Sequence, residues 1–476
     1  MEDTIAAIAT AAGEGGVGIV RISGPRAVEI AADVLGVPAV KLQRSVRVGW
    51  ASDRAGARLD QVLAFAMRAP ASFTGEDVAE LHGHGGSVNL GKLLAAVVER
   101  GARVADPGEF TRRAVANGKL DLARAEALLE VIHAGSDRAW RQAQDNLGGR
   151  LGEEAAALEQ RGLVVLAELE GWIDFPEEDL EVQSAAWIDG EIAALRDACG
   201  ALSDGFRHGR AVRQGLVVAL VGAVNVGKSS LLNALVGVER ALVAPDPGTT
   251  RDWLEVSDTW NGIRVTLVDT AGLRETSDAI ERRGIELGEQ RVASADVVVV
   301  VNDGVAPWDD GRRHGTRAVV IRSKSDLLPP PAGDHGPLAP PVASLGAPAA
   351  PIGAPVAPIA PPVVTPSASP VSGALATSAT TGAGLAELRR AVLAAGGVAD
   401  REGSESAVVT TARQHTLAVT ARDAFARALT GWRDRRPPEL VAIELREASA
   451  ALARLRGVDV GDRVLDELFA RFCIGK

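Results

Sequence analysis

Up to about residue 120, short apolar runs such as GVGIVRISG and DQVLAFAMRAP are mixed with stretches of helical spacing, the pattern of a small α+β domain. From 121 the period lengthens. Leu, Ala and Ile recur three and four residues apart, between charges, in LDLARAEALLEVIHAGSDRAWRQAQDNL, LGEEAAALEQRGLVVLAELEGWI and WIDGEIAALRDACGALSDGFRHG. That spacing gathers apolar side chains on one face of each helix and predicts an antiparallel bundle. From 214 the texture changes again: GLVVALVG, IRVTLVDTAG, ADVVVVVNDG and RAVVIRSKSD are short β-rich runs alternating with helical segments. Runs this rich in valine suit a mostly parallel sheet with helices on both faces. After 399 the helical spacing returns in ARQHTLAVTARDAFARALTGW and PPELVAIELREASAALARL.

The pattern thus predicts a multidomain α+β and α/β protein. An N-terminal α+β domain covers 1–120, a helical domain has its halves at 121–213 and 399–476, and an α/β domain over 214–398 is inserted between those halves. Residues 328–372 break every period: PPPAGDHGPLAPPV and the tandem GAPAAPI, GAPVAPI lack large side chains to bury. Proline this dense predicts a disordered, polyproline-like insertion without a function of its own.

Composition narrows the class. The chain has 476 residues, about three domains' worth, and a hydrophobic content of 46% supplies buried cores. Two cysteines, Cys199 and Cys473, provide no disulfide framework, as expected of a reducing compartment. The start, MEDTIAAIAT, lacks the basic region of a signal peptide, and no apolar run reaches the roughly 20 residues that cross a bilayer. A cytoplasmic protein without membrane contact is expected. A net charge of −11 argues against coating nucleic acid by bulk attraction, so any RNA contact needs a local basic patch or a basic partner.

The strongest chemical signal is GAVNVGKSS, residues 222–230, between the apolar run LVVAL and the helical LLNALVG. It satisfies G-x-x-x-x-G-K-[ST] in a strand–loop–helix context, where backbone N–H groups wrap phosphates. Asn225, Val226, Gly227, Lys228, Ser229 and Ser230 are its phosphate-side residues, with Lys228 reaching the β- and γ-phosphates and Ser229 ligating Mg2+. DPGTTRD follows at 246–252, offering Thr250 as a second magnesium ligand, and DTAG at 269–272 supplies Asp269, which holds the metal through water, and the Gly272 N–H. SKSD at 323–326 and TSATTGAG at 377–384 complete a base site. Asp326 accepts the two N–H donors on guanine's edge, the Ala379 N–H meets O6, and the Lys324 stem lies along the base. The set predicts GTP over ATP. Ser323 stands where asparagine normally begins the base-reading motif, and its shorter reach predicts a weaker loop tether and looser guanine affinity.

Hydrolysis needs an oriented water. Ras-like enzymes place a glutamine directly after Asp-x-x-Gly, but Leu273 occupies that position and cannot act. Asn225 is placed either to ligate a monovalent cation bridging the phosphates or to serve as a turn residue.

These motifs, with the N-terminal GGVGIVRISG, SFTGEDVAELHGHGG (72–86), PGEFTRRAVANGKLDLAR (107–124), DTAGLRETSDAIERRGI and the terminal FCIGK, resemble the MnmE family of tRNA-modification GTPases, also called TrmE, over essentially the whole chain apart from the Pro/Ala insertion. Val224 departs from that family, which often has proline there, and should loosen the phosphate loop slightly. The resemblance implies an N-terminal domain similar to folate-binding enzymes that forms a homodimer, and a helical domain carrying an inserted Ras-like P-loop GTPase domain. It implies that potassium-dependent pairing of GTPase domains drives hydrolysis, with K+ held by Asn225 and by Ala244, Asp246 and Thr249, and Mg2+ by Ser229 and Thr250. The implied GTP site also takes in Pro245, Pro247, Gly248, Thr270, Ala271 and Ser378. Glu281 would position the attacking water, a role that rests wholly on the resemblance.

The same resemblance implies a tetrahydrofolate derivative, of 5-formyl or 5,10-methylene type, bound by Arg21, Glu80, Lys119 and Lys476. An FAD-containing partner subunit, expected in a heterotetramer, would join in adding a carboxymethylaminomethyl or aminomethyl group at C5 of a wobble uridine in tRNA. It also answers what a thiol and a lysine do at the chain's tip. FCIGK is a poor prenylation signal, because Gly475 is not aliphatic and Lys476 is charged. Folding back would instead bring Lys476 to the folate and Cys473 beside it. Cys473 reads either as a nucleophile or acid in uridine activation or as a buried structural thiol. In HGHGG (82–86), a glycine-shaped loop is preferred to a metal site, and DFPEEDLE (174–181) reads as a solvated helix start. The alternatives are a GTP-switched ribosome-assembly or regulatory GTPase, and a folate-dependent methyltransferase with an accessory GTPase domain.

Overall fold

The computed structural model describes residues 3–42, 45–174, 184–236, 255–269, 290, 292–304, 309, 311–327, 374–398 and 407–475. They fall into two compact units, Met1–Gly215 with Asp400–Lys476, and Leu216–Ala399.

The first unit opens with β1 (Ile5–Ile8), β2 (Gly18–Ser23), α1 (Ala27–Val34), β3 (Arg47–Ser52), β4 (Arg58–Met67), β5 (Val78–Gly83), α2 (Ser87–Glu99), β6 (Arg103–Val104) and α3 (Glu109–Ala116). The strands form one sheet in the order β3-β4-β5-β2-β1-β6, antiparallel except for β1 with β6. Side chains alternate along β2. Val20 and Ile22 join Val28, Ile30, Leu81 and Leu93 in the core under α1 and α2, which sends Arg21 to the other face. There Ile5, Ala7, Ala105 and Phe110 form a smaller apolar layer. Arg113 on α3 is wholly buried, yet its guanidinium is held by Asp3, Glu76 and Glu109 at 2.8–3.1 Å. Such pairing makes a buried cation tolerable.

Next come α4 (Leu122–His133), α5 (Asp137–Leu147), α6 (Arg150–Asp174), α7 (Ala185–Asp204) and α8 (Phe206–Gln214). Asp121, Ser136 and Ser184 accept backbone N–H bonds at the starts of α4, α5 and α7, a favourable way to satisfy the orphan donors of a first turn.

The second unit comprises β7 (Leu216–Val221), α9 (Lys228–Val236), β8 (Glu255–Trp260), β9 (Ile263–Asp269), β10 (Val297–Asn302), β11 (Ala318–Arg322), β12 (Leu375–Ala376) and α10 (Leu385–Ala395). Its sheet runs β12-β11-β10-β7-β9-β8 and is parallel except for the edge pair β8–β9. Every residue of β10 is buried, which is why its sequence shows no alternation.

The chain then returns to the first unit with α11 (Ala412–Arg433), α12 (Pro438–Arg456) and α13 (Asp462–Phe469). Ile188, Ile192, Leu195 and Cys199 of α7 pack with Leu169 of α6, Phe425 of α11 and Leu445 of α12. Their spacings of three and four are those that drew the bundle from the sequence. Each such apolar side chain contributes about 1.5–3 kcal/mol on burial. The same surroundings push the Cys199 thiol up to about 12, through burial first and the Glu154 charge second, leaving it inert.

Candidate functional site

The phosphate loop leaves β7 after Val221 and ends where Lys228 begins α9, so the first N–H groups of that helix face the loop. Lys228 is buried, and its Nζ donates to the carbonyls of Gly222 at 2.9 Å and Ala223 at 2.7 Å. Because β7 and β9 run parallel with Leu220 opposite Asp269, the two elements end side by side. The Ser229 hydroxyl consequently donates to Asp269 Oδ2 at 2.7 Å, across 40 residues of sequence. A hydroxyl beside a buried carboxylate is a hard-oxygen set of the kind that suits Mg2+. Val226 is buried, whereas Val224, Asn225 and Ser230 are exposed.

The base-side residues converge on the same end of the sheet. Ser323 Oγ lies 2.6 Å from the Val226 carbonyl and 3.1 Å from that of Asn302. The hydroxyl, short as it is, thus reaches the phosphate loop directly. Lys324 lies across Gly227, and its Nζ donates to the Asn225 carbonyl at 2.8 Å and to Asp303 at 3.1 Å. Asp303 escaped the sequence reading, since nothing local marks it. The Ser325 N–H donates to the Thr377 carbonyl at 3.1 Å and so joins the two base-side loops. Asp326 is exposed, Ser378 is buried and accepts from the Thr381 N–H at 3.1 Å, and Ala379 follows half-buried. Ala244, Pro245, Asp246, Pro247, Gly248, Thr249, Thr250, Thr270, Ala271, Gly272, Leu273 and Glu281 lie outside the described residues, as does the segment 328–372.

In the first unit, Arg21 on β2 stands directly opposite Glu80 on β5. Arg21 Nε donates to Glu80 Oε1 at 2.8 Å, and His82 Nε2 meets Oε2 at 2.8 Å. Burial raises the Glu80 carboxyl, but hydrogen bonds from His82 and Arg21, with their charges, outweigh it and hold the group below its ordinary value. His82 was read only as part of a glycine-shaped loop. Its position two residues beyond Glu80, on the same face of β5, is the signal that places it on this carboxylate. The Arg21 guanidinium sits 5.9 Å from the ring centroids of Phe73 and Phe110.

The chain's end arrives here as well. Arg21 Nη1 is 3.5 Å from the Gly475 carbonyl. Gly475 has φ +99, and a Cβ on it would come within 2.3 Å of the Ile8 carbonyl, so no larger residue fits this approach. Phe469 and Phe472 fasten the segment by packing on Leu122 and Ala125 of α4. Cys473 is free and exposed, which removes the buried-thiol reading: its neighbour Phe472 takes the apolar pocket. Lys119 Nζ instead donates to the Pro70 carbonyl at 3.0 Å, and Lys476 lies outside the described residues. His84 pairs with Asp60 at 2.7 Å. Among the described residues no group of three or more His, Cys, Asp or Glu could hold a metal ion, so HGHGG shows no such cluster.

A mostly parallel sheet with a phosphate-wrapping loop after its central strand and a tied base-side loop defines a P-loop nucleotide-binding protein of the GTPase class. Residues 4–119 match the family described as GTP-binding protein TrmE N-terminus, and residues 122–473 match the MnmE helical domain. The chain belongs to the MnmE family of tRNA modification GTPases. It is 42% identical, over its whole length and 99% of the other's, to the protein of that name from Synechococcus sp. strain RCC307. It is 40% identical to the one from Symbiobacterium thermophilum, with both chains covered in full, and 40% identical to that of Moorella thermoacetica, again over both full lengths. Among solved structures, the G domain of the T. maritima FeoB iron transporter matches 38% of this chain and 98% of its own at 22% identity, with a TM-score of 0.23. A variant of Aquifex aeolicus Era bound to GDP and aluminium fluoride matches 44% of this chain and 66% of its own at 21% identity, with a TM-score of 0.25.

Proposed function

We propose that this chain hydrolyses GTP in tRNA modification and that, with an FAD-dependent partner, it adds an aminomethyl or carboxymethylaminomethyl group at C5 of the wobble uridine, with a tetrahydrofolate as one-carbon donor. The observation that carries this reading is the return of Gly475 to Arg21, which is itself paired with Glu80, in a chain that also holds a phosphate loop. A ribosome factor has no need of that first site.

The Glu80 carboxylate would accept the N–H donors of a pteridine, as cations suit the ligand's carbonyl and glutamate tail. Arg21 holds Glu80 in place, and Lys119 and Lys476 complete the folate set. Cys473, exposed beside the returning tail, is offered as nucleophile or acid. In the nucleotide site, Ser229 and Thr250 would hold Mg2+, which draws charge from the phosphates, and Asn225 with Ala244, Asp246 and Thr249 would hold K+. Lys228 would exchange its loop carbonyls for phosphate oxygens, Asp326 and Ala379 would read guanine, and Glu281 would orient the water. The domain bounds 1–120, 121–213, 214–398 and 399–476 belong to the same reading.

A homodimer is supported by the edge strand β3, where Val48 is 68% and Trp50 47% exposed. The partner subunit would complete a heterotetramer. A cytoplasmic place is proposed; no helix among the described residues is long and apolar enough to cross a membrane.

Nucleoside analysis of tRNA from a strain lacking this chain tests the whole: C5 substituents on wobble uridine should vanish and return with the gene. Unaltered wobble uridines refute the reading.

A further inference from the structure

The base-side loop sets Lys324 two residues before Asp326. Asp326 is exposed, and no hydrogen bond or ion pair engages it among the described residues. A lysine ammonium is a point charge on a flexible stem and pairs with whichever carboxylate is at hand. Were Lys324 to pair with Asp326, it would compete for the oxygens that the N–H donors on guanine's edge must reach. A carboxylate can read that edge only while the neighbouring lysine is held elsewhere.

The sheet supplies the place. β10 and β11 run parallel with Asn302 opposite Arg322, and the Ser323 N–H donates to the Asn302 carbonyl at 2.7 Å, carrying the pairing one step past the strands. Asp303 and Lys324, the next residues on each side, therefore leave the sheet together. Lys324 has φ 55, a left-handed conformation uncommon for a residue with a side chain. Its stem crosses Gly227, and its Nζ reaches the Asn225 carbonyl at 2.8 Å and Asp303 Oδ2 at 3.1 Å. The Asp303 side chain is 10% exposed, and that of Lys324 40%. A carboxylate shielded from water attracts a cation more strongly than one in open solvent, so Asp303 takes the ammonium in preference to Asp326.

We propose that Asp303 is a specificity-determining positioning residue of the GTPase site: it sequesters the Lys324 ammonium and so keeps Asp326 unpaired for guanine. The inference rests on the reading of Asp326 as the base reader. Asp303 acts on the base only through Lys324. Without the Asp303 charge the ammonium turns to Asp326, and guanine loses its advantage over a base with fewer donors. Loss of a merely structural contact would instead weaken all such nucleotides alike.

Inosine diphosphate is the probe, because its base lacks the 2-amino group and offers Asp326 a single N–H donor. Its dissociation constant and that of GDP are measured on the full-length protein by displacement of fluorescent GDP, and their ratio is the readout. Asp303→Asn should lower the ratio about fivefold, the upper end of what an exposed ion pair contributes. Raising the salt to about 1 M KCl, which screens exposed charges, should return most of it. Adding Lys324→Met to Asp303→Asn leaves no ammonium to be captured and should restore the ratio, whatever the overall affinity, while Asp303→Glu should keep it. Asp303→Ser is the second uncharged variant. An unchanged ratio in Asp303→Asn and Asp303→Ser overturns the inference, as does a ratio that stays low in the double variant or a failure of both single variants to bind fluorescent GDP. Asp326→Ala separates this result from the base reading. A ratio unchanged there refutes the reader and the inference with it, whereas a ratio lost in Asp326→Ala but kept in Asp303→Asn overturns the inference alone.

Discussion

Ser323 Oγ lies 2.6 Å from the carbonyl oxygen of Val226, so the loop that faces the base is fastened to the loop that wraps the phosphates by a buried hydroxyl. Removing the hydroxyl leaves that carbonyl unpaired inside the protein, at a cost of about 1–3 kcal/mol. Ser323→Ala should therefore weaken GDP binding about tenfold, read by titration with a fluorescent GDP. An unchanged affinity would show that the tether does not preorganise the site.

Gly475 can be tested by one methyl group. Its φ of +99 and its approach to the Ile8 carbonyl leave no room for a Cβ, so Gly475→Ala should displace the tail from Arg21. Calorimetry with 5-formyl-tetrahydrofolate should show at least a tenfold loss of affinity. GTP hydrolysis by the same variant should stay within twofold, and wild-type folate binding would remove the tail from the folate site.

Asn225 has φ 63, so replacing it with alanine would mix backbone strain with loss of the amide. Glycine adopts this conformation freely, and Asn225→Gly isolates the side chain. If the amide ligates a cation, stimulation of hydrolysis by potassium over sodium should disappear in this variant while GDP affinity holds. Full stimulation would leave Asn225 a turn residue.

Glu130 makes stability depend on pH in an unusual direction. Burial drives its carboxyl up from 4.5 to about 7, against the Thr410 hydrogen bond and the Arg213 charge and with some help from Glu126. Between these values the folded protein binds this proton more tightly than the unfolded chain does, so Glu130 stabilises most below about pH 4.5 and loses that stabilisation as pH rises through about 7. Glu130→Gln carries no titrating proton. Its melting temperature relative to the unaltered protein should climb from pH 5 to pH 8, and a constant difference would mean that Glu130 is ionised throughout.

Long stretches of this protein were legible from local pattern. The bundle helices announce themselves through residues such as Ile188, Ile192, Leu195 and Cys199, because a helix buried on one side must repeat its apolar positions every three to four residues. The phosphate loop was equally plain, because its chemistry is carried by neighbours in the chain. The edge strand β8 went unseen, since an exposed strand has few apolar positions to display, and so did β1, which is four residues long. Tertiary structure alone decided that Ser229 meets Asp269, Ser323 meets Val226 and Thr410 meets Glu130 across 280 residues, and it gave the expected return of the chain's end its particular contact, Gly475 on Arg21 across 454. Each meeting follows from strand register or helix packing, and a side chain's local sequence carries no record of what the rest of the chain will place against it.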